Sequence, residues 1–361
     1  MIYLIDTIGK ETGMHLYDEA FRRSFKSKGV DVVVLSNFKD ENTIPIISNF
    51  YHGNIIMKLF CLFLSYIRLF FFYQKHRNGN IFIYQSFGLR FIDELFIRIF
   101  RKRSNLYVIV HDIFDIKTGK VEDPKKEHKI NVYNNYIPYI ISHSRRTEND
   151  LKKMGYKGDI IYFPHFSYNF NKNVIWEDVG EDIKASIESD KINYLFFGQV
   201  RMTKGIDVLI DSFYYIPEDI KGKINIIIAG QDKTDIIASK QTPLFVKKNC
   251  RYVNDSELNY LFERVDYILL PYKEIYQSGV LEAVIYFKKP AIMSNIGYFK
   301  FIKKEYPSFG LTYEPNDGSA LAENIVKTAI SHDDHFYTKE DIDKYKMNHD
   351  PSILINQLIN S

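Results

Sequence analysis

Two cationic side chains occupy a short loop that follows an apolar, aromatic segment, residues 194–197. The loop begins at Gly198 and contains Arg201 and Lys204, three residues apart. A guanidinium can bind two phosphate oxygens at once and an ammonium acts as a compact charge, so the pair suits a diphosphate. Residues 206–213 predict a helix whose N-terminus would favour the same anion. A surface turn with two solvated bases is the alternative for this loop taken alone.

A second polar loop follows the apolar segment 267–271 and carries two carboxylates, Glu274 and Glu282, separated by seven residues. Ser278 and Gly279 stand where a helix is predicted to begin, and small residues there let free backbone amides approach a phosphate. Glu282 in the first helical turn is suited to accept hydrogen bonds from a ribose diol. Glu274 would face the group at the far end of the diphosphate. The alternative for Glu282 is an acid whose charge interacts favourably with the helix dipole, and the alternative for Glu274 is a solvated loop acid.

Strands ending at one edge of a sheet must position these loops. The N-terminal half contains short β-branched and aromatic segments at 1–6, 30–35, 81–84, 106–110, 139–142 and 160–163. The C-terminal half contains further such segments at 194–197, 224–229, 267–271 and 291–294. Longer amphipathic segments separate them, which predicts an α/β fold with parallel sheets and helices on both faces. Ligands of such sheets bind beyond the carboxyl ends of the strands.

The chain is too long for one core, since single cores stop growing near 250 to 300 residues. An acidic, polar segment at 171–191 contains no predicted strand and separates the two series of strands. We therefore expect one Rossmann-like domain over 1–170 and a second over 171–348. A final helix over 349–361 is expected to be able to pack back on the first domain.

The motifs of the C-terminal half resemble the donor half of retaining GT-B glycosyltransferases, glycosyltransferase family four. The likeness rests on FFGQVRMTKGIDVLIDSF, on IIIAG, which ends at Gly230, and on the dense run from 252 to 297, where Glu274-x7-Glu282 matches the paired-glutamate motif of that family. It is looser in the N-terminal half, where these residues fall in the expected order: Gly9, Gly13, His111-Asp112, Ser144 and Pro164-His165.

The resemblance implies that the two Rossmann-like domains face a central cleft, with the acceptor-binding domain over 1–170 and the donor-binding domain over 171–348. It also implies a UDP- or GDP-linked sugar donor, retention of anomeric configuration, and no cofactor or metal. By matching position, Arg201 and Lys204 would bind the diphosphate, Glu282 the ribose and Glu274 the sugar. Its substrate-binding residues would be Gly13, Gly198, Gly230, Val253 beside the base, Ser278, Gly279, Val280 and Glu282.

Cleavage of a sugar–phosphate bond produces a cationic sugar and an anionic leaving group, which cations and oriented amides stabilise. Arg201 and Lys204 can replace a metal in this role, and no Asp-x-Asp follows a predicted strand. His111, at the end of its predicted strand, would orient the sugar or polarise a hydroxyl; the alternative is a neutral histidine that satisfies a strand-end hydrogen bond. His143 and His165 are interpreted as structural.

Two other interpretations compete with the transferase. One is a catalytically silent GT-B subunit that binds a partner or a membrane, although it would have no reason to keep Arg201, Lys204, Glu274 and Glu282 together. The other is a sugar-nucleotide epimerase of the same fold, which needs further acid and histidine residues that have no clear position in this sequence.

Composition limits the partners and the compartment. The 48 basic and 45 acidic residues nearly cancel, which argues against nucleic acid as a partner. Two cysteines in 361 residues are too few for a disulfide framework and favour a reducing, cytoplasmic location. The expected partners are a nucleotide-sugar donor and a saccharide acceptor, free or lipid-linked, in bacterial surface polysaccharide biosynthesis.

An apolar segment at 55–73 raises the question of membrane contact. Its longest uncharged run, 59–67, is short of the roughly 20 residues that span a bilayer, so we expect it not to cross. A helix covering the sheet and a helix lying at a membrane surface are both open alternatives. A following basic cluster favours the second alternative: Arg98, Arg101, Lys102 and Arg103.

Overall fold

The computed structural model describes residues 1–9, 14–50, 53–87, 89–100, 105–113, 126–166, 170, 175–233, 235–275, 278–331 and 335–360. The chain forms two compact units, residues 1–167 with 349–361 and residues 168–348. Each unit is built on one sheet, and the paired strands of both sheets run parallel. The predicted α/β class with two parallel-sheet domains is confirmed.

The first unit is described by the following elements. Its strands are β1 (Ile2–Ile5), β2 (Val32–Leu35), β3 (Thr43–Ile44), β4 (Ile81–Phe87), β5 (Leu106–Asp112), β6 (Tyr139–Ser142) and β7 (Asp159–Tyr162). Its helices are α1 (Met14–Lys26), α2 (Ile55–His76), α3 (Phe91–Ile97), α4 (Lys126–Tyr136), α5 (Arg145–Met154) and, from the end of the chain, α14 (Ser352–Asn360). The strand order in the described sheet is β3-β2-β1-β4-β5-β6-β7.

The second unit follows the same plan. Its strands are β8 (Ile192–Phe197), β9 (Ile224–Ala229), β10 (Val246–Asn249), β11 (Tyr267–Leu270), β12 (Ala291–Ser294) and β13 (Gly310–Tyr313). Its helices are α6 (Glu181–Lys184), α7 (Ile206–Ser212), α8 (Glu218–Lys221), α9 (Asp255–Arg264), α10 (Gly279–Tyr286), α11 (Gly297–Glu305), α12 (Gly318–Ile330) and α13 (Lys339–Asn348). The strand order is β10-β9-β8-β11-β12-β13.

Central strands of both sheets are continuously apolar because helices cover both faces of a parallel sheet. Every residue of β9 is buried, as is every residue of β11. Their side chains form part of one apolar core in the second unit, and β4 and β5 contribute to a separate core in the first unit. The strand ends that carry the candidate site are therefore fixed by extensive apolar burial.

Three strands were not predicted from the sequence. β3 has only two residues, β10 (VKKN) contains two lysines, and β13 begins with a glycine. All three are the outermost strands among those that the structure describes, with a neighbouring strand on one side only, and their apolar pattern is weaker.

The acidic segment expected to separate the domains is docked onto the second unit over its described residues, 175–191. The Arg251 guanidinium donates hydrogen bonds to Asp182 at 2.7 Å and to Glu257 at 2.6 Å, and Glu257 is buried. Glu257 also accepts from the backbone N–H of Gly180 at 3.1 Å. This ion-pair network holds the segment in place, so its described part is not a free linker.

The close approach of another backbone segment at Gly230 predicts that this position does not tolerate a side chain. Gly230 has φ +143°, and a Cβ there would lie 1.9 Å from the carbonyl oxygen of Gly198. We expect Gly230→Ala to lower the free energy of unfolding by about 2 kcal/mol or more. The matched control is Gly222→Ala, where φ is −71° and an added Cβ meets nothing within 4 Å. Thermal unfolding of both variants checks this, and an equally stable Gly230→Ala protein would contradict it.

Candidate functional site

The carboxyl ends of β8 and β11 are joined by direct backbone contact. Gly205 has φ +68°, and a Cβ there would lie 1.7 Å from the carbonyl oxygen of Pro271. The backbone N–H of Lys273 donates to the carbonyl of Thr203 at 2.9 Å. The loop containing the two predicted cations is therefore fixed against the loop that carries the paired carboxylates.

Lys204 ends a short 3-10 helix in this loop, and its ammonium lies 3.7 Å from the centre of the Tyr272 ring. Tyr272 is buried, and its carbonyl accepts a hydrogen bond from Ser294 at 2.5 Å, so the ring is a fixed platform for the lysine. Cation–π contact leaves the positive charge available to an anion.

Neither predicted cation is neutralised in the part of the chain that the structure describes: Arg201 and Lys204 form no ion pair there with a carboxylate. The adjacent Lys273 differs, because its ammonium pairs with Asp207. Arg201 is half-buried just before the 3-10 helix. The loop thus presents two uncompensated positive charges, which suits binding of a diphosphate.

The N-terminus of α10 lies beside the same loop. Ser278 is its N-cap and accepts a hydrogen bond from the Leu281 N–H at 3.3 Å. A Cβ placed on Gly198 would lie 3.6 Å from the Cγ2 of Val280, so the first turn of the helix lies close to the start of the loop that carries Arg201 and Lys204. Gly279 is exposed. The structure therefore brings Gly198, the cationic loop and the amide-rich end of a helix together, as a phosphate site requires.

The two paired carboxylates differ in environment. Glu274 is exposed in the loop before α10. Glu282 is buried, and the Tyr345 hydroxyl donates to its Oε2 at 2.8 Å. Burial raises the pKa of Glu282 to about 8, although the hydrogen bond from Tyr345 opposes the shift. At neutral pH this carboxyl is therefore mainly protonated. The sequence had predicted that Glu282 only accepts hydrogen bonds from a ribose, whereas a protonated carboxyl can also donate one.

The remaining predicted residues of the second unit surround the ends of β9 and β10. The Gly230 N–H donates to the carbonyl of Asn249 at 3.0 Å. Val253 is half-buried in the loop between β10 and α9. Their predicted roles in donor binding stay predictions.

His111 lies in the first unit, on β5, and is buried. Its Nε2 lies 3.0 Å from Oε1 of Gln85, and its ring stacks on Phe87 at 4.7 Å. Burial, reinforced by His143 and His165, holds the pKa of His111 well below its usual value, so the ring is neutral at pH 7. A neutral imidazole fits both interpretations given for this residue. Gly13, the other predicted residue of this unit, lies outside the described residues.

His143 and His165 form part of the same buried cluster. His143 donates from Nδ1 to the carbonyl of Phe163 at 2.8 Å, and its Nε2 lies 2.7 Å from the Tyr17 hydroxyl, so both ring nitrogens have partners. Burial lowers the pKa of His143 to about 4 and that of His165 to about 3. This environment agrees with the structural interpretation of both residues.

Sequence reasoning did not single out Tyr272 or Tyr345. Tyr272 is the second residue after β11, so its position near a strand end was a usable signal. Tyr345 is separated from Glu282 by 63 positions, and no spacing pattern connects them. Within the described residues, no group of three or more His, Cys, Asp or Glu side chains is placed to hold a metal ion.

The architecture of the whole chain is similar to that of solved GT-B enzymes. Sucrose-phosphate synthase from Thermosynechococcus elongatus aligns with TM-score 0.71 at 15% identity, covering 99% of this chain and 98% of that one. Anabaena HepE in complex with UDP-glucose aligns with TM-score 0.67 at 13% identity and the same coverage. An α,α-trehalose-phosphate synthase (UDP-forming) from Burkholderia vietnamiensis aligns with TM-score 0.66 at 10% identity, covering 100% and 99%. The chain therefore has the GT-B glycosyltransferase fold.

The family comparison is more specific about the second unit. Residues 180–344 match the family model described as glycosyl transferases group 1. This segment contains the cationic loop, both paired carboxylates and Tyr272. The match confirms the resemblance to GT-B glycosyltransferases that the motifs indicated. No curated protein sequence matches the chain.

The raised pKa of Glu282 predicts a pH-dependent stability. The folded chain holds this proton up to about pH 8 while the unfolded chain releases it near 4.5, so the contribution is full below pH 4.5 and is lost as pH rises through 8. Relative to Glu282→Gln, the wild type should lose on the order of 3 kcal/mol between pH 5 and 8.

Urea unfolding across this pH range measures the effect. The exposed Glu274→Gln variant is the matched control and should follow the wild-type profile. Parallel profiles for the wild type and Glu282→Gln would show that Glu282 is ionised in the folded protein.

Proposed function

We propose that the protein is a retaining glycosyltransferase of family four that transfers a sugar from a nucleotide-diphosphate sugar to a saccharide acceptor. The observation that carries this proposal is the cationic loop: Arg201 and Lys204 lack carboxylate partners in the described structure and lie beside the N-terminus of α10. A binding site with two uncompensated charges and oriented amides is suited to a diphosphate that gains negative charge as it leaves.

The reaction breaks the bond between the anomeric carbon and the diphosphate oxygen and forms a bond from that carbon to an acceptor hydroxyl oxygen. The bonding electrons stay on the diphosphate, which Lys204 and Arg201 stabilise. The acceptor attacks from the face that the leaving group vacates, and the leaving phosphate takes the acceptor proton. Retention follows because the new bond replaces the old one on the same face.

A uridine nucleotide is the proposed donor carrier. HepE has been solved with UDP-glucose and with UDP and glucose, and a trehalose-phosphate synthase of similar fold is UDP-forming. We assign the diphosphate to Arg201 and Lys204, the ribose to Glu282, and the sugar to Glu274. A protonated Glu282 can donate to one ribose hydroxyl through its acidic proton and accept from the other.

The proposed acceptor is a lipid-linked saccharide, as in bacterial surface polysaccharide biosynthesis at the cytoplasmic face of a membrane. Its support is the apolar character of α2 in the first unit, because an acceptor anchored in lipid requires an enzyme that reaches the membrane surface.

Calorimetric titration with UDP and GDP tests the donor assignment directly. UDP should bind and stabilise the protein by mass action, and Lys204→Ala should weaken that binding. Tight GDP binding without UDP binding would contradict UDP and identify GDP as the nucleotide of the donor. Binding of neither nucleotide would favour the silent-subunit alternative.

Removal of one cation should strongly reduce transfer. Lys204→Ala is expected to lower turnover by at least about 100-fold, because a fixed charge at the developing anion is lost. Lys339→Ala, which removes a highly exposed lysine on α13, is the matched control and should retain activity. Sugar transfer from a labelled donor measures both variants. Near-normal turnover by folded Lys204→Ala would remove the assignment.

Chelation of divalent metals should leave transfer intact. The charges that stabilise the leaving group are supplied by Arg201 and Lys204, so the reaction does not depend on a metal bridge. Transfer is measured before and after treatment with a chelator. Loss of activity that manganese or magnesium restores would contradict this mechanism.

A further inference from the structure

Helix α2 packs on the first unit through one stripe of its surface. Only Ser65, Leu69 and Tyr73 are buried among its 22 residues. The Tyr73 ring contacts Phe82 at 4.9 Å and Phe100 at 4.6 Å between ring centres. This stripe covers the apolar core beneath the sheet. The alternative of a helix that covers the sheet therefore describes this stripe alone, and the remaining sides of α2 are not buried by the core.

Polar contacts fix the same stripe in place. The Ser65 hydroxyl accepts from the backbone N–H of Ser48 at 2.8 Å and donates to the carbonyl of Cys61 at 2.7 Å. Arg68 donates to the Ser48 hydroxyl at 3.1 Å. By length and composition alone α2 is long and apolar enough to cross a membrane. The expectation that it does not cross, drawn from its short uncharged run, stays a prediction. Crossing would strip this stripe from the core it covers, so α2 is better suited to lie along a surface.

The side of α2 away from the core is also apolar. At about 100° per residue, its residues lie opposite or beside the buried stripe. This outward face consists of Ile56, Leu59, Phe60, Phe63, Phe70 and Phe71, which are between 37% and 76% exposed. Contiguous exposed apolar surface of this kind marks an interaction site in a folded protein.

The charges of α2 have one sign. The helix contains Lys58, Arg68 and Lys75, and none of its residues is an aspartate or glutamate. Arg68 and Lys75 are exposed and, by helical geometry, lie along one edge of the outward face. Of the predicted basic cluster, Arg98 pairs with Glu94, and residues 101–103 lie outside the described residues. The cluster is not needed for this arrangement.

We infer that the outward face of α2 docks on the surface of an anionic lipid bilayer, with the helix axis in the membrane plane. The phenylalanines enter the boundary between headgroups and acyl chains, and Arg68 and Lys75 contact anionic headgroups. The combination of an apolar face with a basic edge matches this surface in both hydrophobicity and charge.

A second copy of the chain matches the face less well. Pairing two outward faces would bring the basic edges of two helices together with no acidic residue on either helix to compensate them. Lipid phosphates supply that compensation.

Docking of α2 would bring the enzyme to the membrane that holds a lipid-linked acceptor. This link to the acceptor rests on the proposed function. Docking itself does not depend on sugar transfer, so the two are measured separately. A protein that binds vesicles and no nucleotide would refute the proposed function alone. A protein that binds UDP and no vesicles would refute the docking alone.

Vesicle flotation tests the docking. The wild type should float with vesicles of phosphatidylcholine and phosphatidylglycerol at low salt, and less with phosphatidylcholine alone or at high salt. Phe63→Ser combined with Phe71→Ser should reduce the bound fraction by about ten-fold or more, since two exposed rings no longer enter the lipid. Leu244→Ser, at a side chain 95% exposed in the second unit, is the matched control and should float as the wild type does.

A second variant keeps the test independent of folding. Arg68→Gln combined with Lys75→Gln should reduce binding to anionic vesicles by about ten-fold and leave binding to neutral vesicles unchanged. UDP titration confirms that each variant remains folded and binds nucleotide. Three results would overturn the inference: no flotation of the wild type, undiminished flotation of both variants, or a dimer in light scattering that the serine variant dissociates.

Discussion

The close approach of two pairs of backbone segments is the constraint on which the site of the second unit depends. The carbonyl of Gly198 occupies the space that a side chain at Gly230 would need, and the carbonyl of Pro271 does the same at Gly205. These contacts bring the ends of neighbouring strands so near each other that Lys204 reaches the ring of Tyr272. The position of the charge is therefore set by main-chain geometry and an aromatic surface, and no carboxylate among the described residues neutralises it.

Burial controls the charge of the titratable groups that surround these strands. In the second unit it keeps Glu282 mainly protonated, so this carboxyl does not cancel the positive charge of the loop. In the first unit it keeps His111 and its neighbour His143 neutral. Around these strands the two loop cations therefore remain accessible, while burial holds Glu282, His111 and His143 mainly uncharged.

The sequence predicted the features that depend on local pattern. The apolar runs identified the central strands, with the bounds of β6, β9 and β12 matching the predicted segments. The strand-end positions also placed Arg201, Lys204 and Ser278 in neighbouring loops. Features that depend on distant parts of the chain were missed, such as the bond from Tyr345 to Glu282. The exposure of α2 was undecided for the same reason, since an apolar helix has one composition whether the core covers one of its sides or all of them.

Helix α14 belongs to the first unit although it follows the whole second unit in the chain. Its side chains Leu354 and Leu358 are buried, and Lys28 pairs with Asp350 just before it at 3.0 Å. During synthesis, the second unit has all of its residues before the first unit receives this last helix. The apolar surface of the first unit that α14 covers therefore stays exposed while the second unit is synthesised. Completion of the first unit therefore depends on residues that are synthesised after the whole of the second unit.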